Sequence, residues 1–95
     1  MNYSYQYNVK ILGIQQQHRS ESSRESVDIC MKLFSAIGAE IAEYDIDIVH
    51  RVPSRNSSYP SPIICKFTRR IAKENVMKCK KEISNIYLDD IGWPP

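Results

Sequence analysis

The stretch IDIVHRVPSRNSSYPSPIICKF, residues 46–67, contains two runs rich in β-branched residues on either side of a polar segment. Ile46–Val52 and Ile63–Phe67 have the composition typical of strands. Pro53–Pro62 between them holds three of the five prolines and four serines, which is typical of a loop. The stretch therefore predicts two strands joined by a loop.

A helix is expected before this strand pair. Ser22 followed by Glu25 is a capping-box signature, and apolar residues then recur at helical spacing. Gly38 suits the left-handed position that closes a helix. Together these features predict a first helix over Ser23–Ile37.

A second helix is expected after the strand pair. Thr68, which directly follows the predicted third strand, is the expected N-cap. Apolar residues then stand at i, i+4, i+7 and i+11, which is the spacing by which a helix packs against a core. The members of this stripe are Ala72, Val76, Cys79 and Ile83.

Two outer strands complete the pattern. Val9–Ile14 (VKILGI) is predicted as the first strand and Asn85–Asp89 (NIYLD) as the last. The order βαββαβ predicts an α+β, ferredoxin-like fold, in which two helices cover one face of a four-stranded antiparallel sheet. The predicted domain spans residues 9–90, with an N-terminal tail at 1–8 and a C-terminal tail at 91–95.

Length and composition also favour one small globular domain. The 95 residues are 42% apolar and 25% charged. A domain of this size has a modest core, so we expect a binding surface rather than a large enclosed active site. The apolar runs are far shorter than the roughly 20 residues that span a bilayer, so no membrane partner is expected. Cys30, Cys65 and Cys79 lie in apolar patterns, which favours reduced thiols and an intracellular location, cytoplasmic or nuclear.

No set of residues indicates catalysis. Acyl-phosphate hydrolysis on a ferredoxin-like fold needs a glycine cradle and an arginine after the first strand, but here Gly13 stands alone before the turn QQQHR. His50 has no convincing nucleophile beside it. A zinc site of His18 or His50 with two cysteines lacks ligand pairs at the usual spacing. We therefore expect no enzyme activity, no cofactor and no metal.

Charge is concentrated in the second helix and the strand before it. From Lys66 to Lys81 there are seven basic residues and the single acid Glu74, a local charge of +6. The connection between Gly38 and His50 is acidic, so we expect a basic side and an acidic side. The lysines can be the solvated face of an amphipathic helix, but such a surface can also neutralise phosphates.

The uncovered face of the predicted sheet is the second candidate surface. The first and third strands are central in this arrangement. If Ile63, Cys65 and Phe67 face the helices, the other face is apolar with two cations. Its expected members are Lys10, Leu12, Ile64 and Lys66.

Several short strings of the sequence resemble a known family. They are ILGI at 11–14, DIDIVHRVP at 45–53, SPIICKF at 61–67, KCKKE at 78–82 and IYLDD at 86–90. The chain from about Val9 to Asp90 resembles the baculovirus few-polyhedra (FP) protein domain. It is more distantly similar to a domain of the RNA-binding protein encoded by the first reading frame of LINE-type retrotransposons. That domain resembles an RNA-recognition motif (RRM).

This resemblance implies an RRM-like fold whose relatives bind single-stranded nucleic acid, RNA or DNA, with little sequence preference. By position, Lys66 matches the basic residue of the family's third-strand motif, Arg51 the arginine before its proline, and Arg55 the basic residues of its loop. Relatives usually carry a coiled coil that makes them oligomeric, and no heptads occur here. The residues expected to contact nucleic acid are Lys10, Arg51, Arg55, Lys66, Arg69, Arg70 and Lys73.

Ordinary RNA-recognition motifs stack bases on aromatic side chains of the two central strands. This sequence lacks aromatic residues at those places, so we expect its binding to be weak and salt-sensitive. Lys10 and Ile64 occupy those places here. Tyr59, Tyr87 and Trp93 are candidates for stacking from the edges. The alternative function is a protein-interaction or oligomerisation module that uses the apolar part of the open face.

Overall fold

The computed structural model describes residues 7–16, 21–53, 60–80 and 87–90, the last by backbone alone. The chain contains two helices and an antiparallel sheet, so the predicted α+β class is confirmed. A 3-10 turn, Glu43–Asp45, precedes the second strand. The elements in chain order are β1 Asn8–Leu12, α1 Ser23–Ala36, β2 Ile46–Arg51, β3 Ile63–Phe67, α2 Arg70–Lys78 and β4 Tyr87–Asp90.

β3 lies between β2 and β1 and pairs antiparallel with both. Val9 lies opposite Cys65 on β3, and Cys65 lies opposite Val49 on β2. The backbone of β4 pairs antiparallel with the other side of β1, which gives the strand order β2-β3-β1-β4. β1 and β3 are therefore interior strands of the sheet.

One face of the sheet forms the core with the two helices. Alternate residues of β1 and β3 are buried, as strand geometry requires when only one face is covered. Phe34 of α1 and Phe67 of β3 meet in the middle of the core, with ring centroids 5.7 Å apart. Ala72 and Val76 of α2 are buried in the same cluster. Both helices therefore pack on the same side of the sheet.

The first helix begins and continues as the sequence predicts. The Ser22 side chain accepts a hydrogen bond from the Glu25 amide at 3.1 Å, and the Glu25 carboxylate accepts one from the Ser22 amide at 2.9 Å. The helix ends at Ala36, one residue before the predicted end. Gly38 has a φ of +81°, so it adopts the left-handed conformation expected of it.

The start of the second helix differs from the prediction. Arg69, not Thr68, is the N-cap, and it makes no side-chain cap hydrogen bond. Thr68 continues the extended chain, because its amide donates to the Asp45 carbonyl at 2.7 Å and its hydroxyl also contacts that carbonyl. The predicted cap is therefore wrong, because a partner distant in sequence satisfies the threonine. Of the predicted helical stripe, Cys79 is only partly buried and Ile83 lies outside the described residues.

Strand ends also shift by one or two residues. β1 ends at Leu12 rather than Ile14, because Gly13 turns the chain with a φ of +90°. β2 ends at Arg51, one residue before the predicted end, whereas β3 has the predicted bounds. In the described part of the chain, neither helix combines the length and the apolar character needed to cross a membrane.

Candidate nucleic-acid interface

The side of the sheet away from the helices forms an open face. Lys10 of β1 lies opposite Ile64 of β3, and Ile64 lies opposite His50 of β2. In the next row, Lys66 of β3 stands between two partners, one on β1 and one on β2. We define the open face by the residues of these rows and the adjoining end of β1: Asn8, Lys10, Leu12, Ile48, His50, Ile64 and Lys66.

The structure brings together the four residues that the sequence predicts on this face. Lys10, Leu12, Ile64 and Lys66 are all partly exposed, while the alternate residues of β1 and β3 are buried. Lys10 and Lys66 are diagonal neighbours, a relation that places Cα atoms about 7–8 Å apart. Two cations of adjacent strands therefore lie close enough to contact successive phosphates of one nucleic-acid strand.

Besides the two lysines, the open face presents three apolar and two polar residues, and the described parts of its interior strands carry no aromatic ring there. Ile48 of β2 is 56% exposed, and Leu12 and Ile64 are partly exposed. β1 and β3 present only Asn8, Lys10, Leu12, Ile64 and Lys66 to this side. Base stacking on these strands, as in ordinary RNA-recognition motifs, has no ring to use there.

Lys66 has an acidic neighbour. Its ammonium nitrogen lies 3.5 Å from Oδ2 of Asp47, and half of the Asp47 side chain is exposed. An exposed ion pair of this kind contributes about 0–1 kcal/mol, so a phosphate can compete with Asp47 for the lysine. The ion pair lowers the local positive charge but leaves Lys66 able to bind a phosphate.

Arg69, the N-cap residue of α2, is held by a carboxylate that precedes β2. Its Nε donates to Oδ1 of Asp45 at 2.9 Å, and its Nη2 lies 2.9 Å from the same oxygen. The Asp45 side chain is 4% exposed, while that of Arg69 is 56% exposed. The buried carboxylate therefore positions an arginine whose outer side faces solvent.

The remaining basic residues of α2 do not belong to the open face. α2 packs on the covered side of the sheet through Ala72 and Val76, so its exposed side points away from Lys10 and Lys66. Arg70 stands at the first position of the helix and is exposed, next to Arg69. Lys73 is partly buried and already has an interaction partner. Arg70 follows the end of β3 by three residues, whereas Lys73 and Lys78 lie farther along α2.

Arg51 lies in a structural network instead of on the surface. Its side chain is 10% exposed and that of its partner Glu21 is 1% exposed. The guanidinium makes five hydrogen bonds, two to the Glu21 carboxylate and three to the carbonyl oxygens of Ile14, Gln15 and Ser61. Arginine has five N–H donors, so none remains for a phosphate.

The same network fixes the loop between β2 and β3 at its base. The Val52 amide donates to the Pro62 carbonyl at 2.8 Å, next to the bond from Arg51 to Ser61. Ser26 of α1 donates to Glu21 at 3.0 Å. Hydrogen bonding to Arg51 holds the pKa of Glu21 below its ordinary value.

Arg55, the other predicted contact of this loop, lies outside the described residues, as do Tyr59 and Trp93. The side chain of Tyr87 is not described either.

The acidic connection before β2 is paired with basic side chains. Glu43 accepts two hydrogen bonds from Arg24 of α1, and Asp45 and Asp47 pair with Arg69 and Lys66. The predicted acidic side is therefore largely neutralised by cations that the fold brings to it. The sequence did not show this, because each pair joins residues 19 or more positions apart.

Two exposed residues of this region were missed in the sequence. Tyr44 is 79% exposed and Ile48 is 56% exposed. Tyr44 could have been noticed as an aromatic residue between two acids in a connection. No local signal marks Ile48, because a register shift between Ile46 and Ile48 brings it opposite Lys66. Among the described residues no three His, Cys, Asp or Glu side chains are grouped so that they could hold a metal ion.

The chain was compared with protein-family models and with curated proteins. No protein-family model matches the chain, and no curated protein matches it significantly.

Proposed function

We propose that this chain is a ferredoxin-like, RRM-like domain of the few-polyhedra type, and that it binds single-stranded RNA or DNA without sequence preference. The observation that carries the proposal is the diagonal pair of lysines on interior strands of the open face, Lys10 and Lys66. The strand order β2-β3-β1-β4 and two helices on one side support the fold relationship. The proposal includes no catalytic step and no cofactor.

In this proposal the phosphates contact Lys10 and Lys66, and Arg69 and Arg70 extend the basic surface around the end of β3. The bases lie against the apolar side chains of the same face. These contacts carry no sequence information, because phosphates are the same at every position. Arg51 is left out because its donors are all used within the fold.

The affinity is set mainly by counterion release. For single strands the logarithm of the binding constant falls with the logarithm of the salt concentration with a slope of about −0.7 per phosphate contacted. Four contacts predict a slope of about −3, and a fourfold rise in salt then weakens binding about 50-fold. A small interface on an isolated domain is expected to bind weakly at physiological salt.

The location that we propose is intracellular. Cys30 and Cys65 are buried free thiols and Cys79 is a partly buried one. Such thiols persist in reducing compartments. The hydrogen bond with Cys30, together with burial, raises the pKa of Cys65, so this thiol remains protonated and unreactive.

Fluorescence anisotropy with a labelled single-stranded RNA, at about 50 and 200 mM salt, tests the proposal. The variant Lys10→Ala with Lys66→Ala should weaken binding for every sequence and reduce the salt slope by about 1.4. The matched control is Lys32→Ala with Lys78→Ala, which removes the same charge from exposed positions of the two helices. Equal losses in both double variants would show that net charge, and not the open face, governs binding.

A protein-interaction module is the second candidate, and the exposure of Ile48 favours it. This side chain extends the apolar patch of Leu12 and Ile64 to the edge strand β2. An exposed apolar patch is a common feature of protein interfaces. Sedimentation equilibrium would distinguish the candidates, because self-association through this patch should be insensitive to salt and should disappear in Ile48→Asp.

A further inference from the structure

The 3-10 turn Glu43–Asp45 holds one aromatic residue between two anchored acids. Glu43 accepts hydrogen bonds from both terminal nitrogens of Arg24, which belongs to α1. Asp45 accepts from Arg69, at the start of α2. Tyr44 therefore lies between two residues that arginines from different parts of the fold hold in place.

The backbone of this turn is also fixed. The Asp45 amide donates to the Ala42 carbonyl at 2.9 Å, and the Ala42 amide donates to Oδ2 of Asp45 at 3.0 Å. The Thr68 hydroxyl lies 3.3 Å from the carbonyl oxygen of Tyr44. These bonds restrain the main chain before and after Tyr44 and the Tyr44 carbonyl group itself.

This rigid turn presents Tyr44 to solvent. Tyr44 is 79% exposed, the largest exposure among the large apolar and aromatic residues that the structure describes. An exposed ring contributes little to the stability of the core. A fixed backbone reduces the conformational entropy that is lost when the residue binds a partner. The arrangement is suited to an aromatic contact in a complex.

The surroundings of Tyr44 favour a nucleic-acid partner. Asp45 positions Arg69 and Asp47 contacts Lys66, so the turn adjoins the basic end of β3. Arg70 is exposed at the next position of the chain after Arg69. A tyrosine beside several cations can stack on a base while the neighbouring phosphates contact the cations.

We propose that Tyr44 is the residue on which an unpaired base of a bound single strand stacks. This inference rests on the proposed function and gives it the aromatic contact that the described interior strands lack. Tyrosine stacks on any base, so the contact is compatible with binding that ignores sequence. It also predicts that the domain distinguishes a strand with bases from a bare sugar-phosphate chain.

The test compares two labelled strands of equal length, one with bases and one abasic, at about 50 mM salt. Tyr44→Ala should lower affinity at least about fivefold for the strand with bases and leave affinity for the abasic strand nearly unchanged. Tyr44→Trp should retain or improve binding to the strand with bases, because a larger ring is kept. Ile71→Ala is the matched control, since Ile71 is also large and exposed, at 44%, but lies on α2.

The outcomes separate this inference from the proposed function. If the unchanged protein binds and Tyr44→Ala binds the strand with bases equally well, stacking by Tyr44 is wrong while nucleic-acid binding stands. An equal loss on the abasic strand would also overturn the inference, because the lost contact would not involve a base. If the unchanged, folded protein binds neither strand, the proposed function fails and takes this inference with it. The circular-dichroism spectrum of each variant shows whether the fold is retained.

Discussion

Replacing Arg51 tests whether this residue supports the fold or contacts nucleic acid. Arg51→Met keeps an unbranched apolar stem but removes five hydrogen bonds and the positive charge beside Glu21. The Glu21 carboxylate, whose side chain is 1% exposed, would then retain only the bond from Ser26 among its described partners. Three backbone carbonyls would lose the same donor. We therefore expect a large loss of stability and no specific loss of binding.

The expected loss is about 3 kcal/mol. Removing one partner of a buried ion pair costs about 3–5 kcal/mol, because it leaves an uncompensated charge. We take the lower end because Gln15 and Ser22 beside the network are exposed, so water can reach the vacated space. For a domain of this size, 1 kcal/mol shifts the melting temperature by about 4–8 °C, so the expected shift is about 12–24 °C.

Urea unfolding followed by circular dichroism measures this loss directly, provided that the transition is two-state. Arg70→Met is the matched control, because Arg70 is exposed and its loss should change the unfolding free energy by no more than about 0.5 kcal/mol. Adding Glu21→Leu to Arg51→Met should restore part of the loss, since both charges are then absent.

One result would refute the structural role of Arg51. If Arg51→Met unfolds at nearly the same urea concentration as the unchanged protein, the guanidinium does not bridge these segments. If that variant also binds single-stranded RNA with a flatter salt dependence, Arg51 contacts phosphates, as its sequence position first indicated. A stable domain with unchanged binding would contradict both roles.

Two further predictions follow from the first helix and its surroundings. Because the pKa of Glu21 is lower in the folded protein than its ordinary value of 4.5, the stabilisation by its pair with Arg51 is complete above pH 4.5. This stabilisation should be lost as the pH falls through the lowered pKa. Glu21→Gln should reduce the acid sensitivity, measured by urea titrations between about pH 3 and 6. The same pH dependence in both proteins would contradict a stabilising role of the Glu21 carboxylate. Ser22→Ala removes the N-cap and should destabilise the domain by about 1 kcal/mol, measured as a melting temperature about 4–8 °C lower. Ser23→Ala, at the adjacent exposed position, is its control, and similar shifts in the two variants would argue against the cap.

Local patterns were the most successful part of the sequence prediction. The capping box of Ser22 and Glu25 and the left-handed Gly38 depend on neighbours within a few residues, so the sequence contains all their partners. β3 has the predicted bounds, and its buried residues Ile63, Cys65 and Phe67 are those expected to face the helices. The four predicted members of the open face, all on β1 and β3, followed from strand alternation once the central strands were inferred.

Predictions that depended on distant partners were less successful. Thr68 has the chemistry of a helix cap, but its hydroxyl donates a hydrogen bond to the Asp45 carbonyl, 23 positions away. Arg51 has the charge of a phosphate ligand, but Glu21 lies 30 positions away and satisfies it. A count of charges along the chain does not show which of them are paired in space.

The sequence by itself determined the order of the elements, the cap of the first helix and the alternation that separates the two faces of β1 and β3. These features depend on backbone geometry and on neighbours along the chain. Only the tertiary structure decided which cations remain available and which aromatic residue is presented to solvent. Burial and ion pairing depend on three-dimensional distances, and the fold brings Glu21 to Arg51, Asp45 to Arg69 and Arg24 to Glu43 across 19 to 30 positions of sequence.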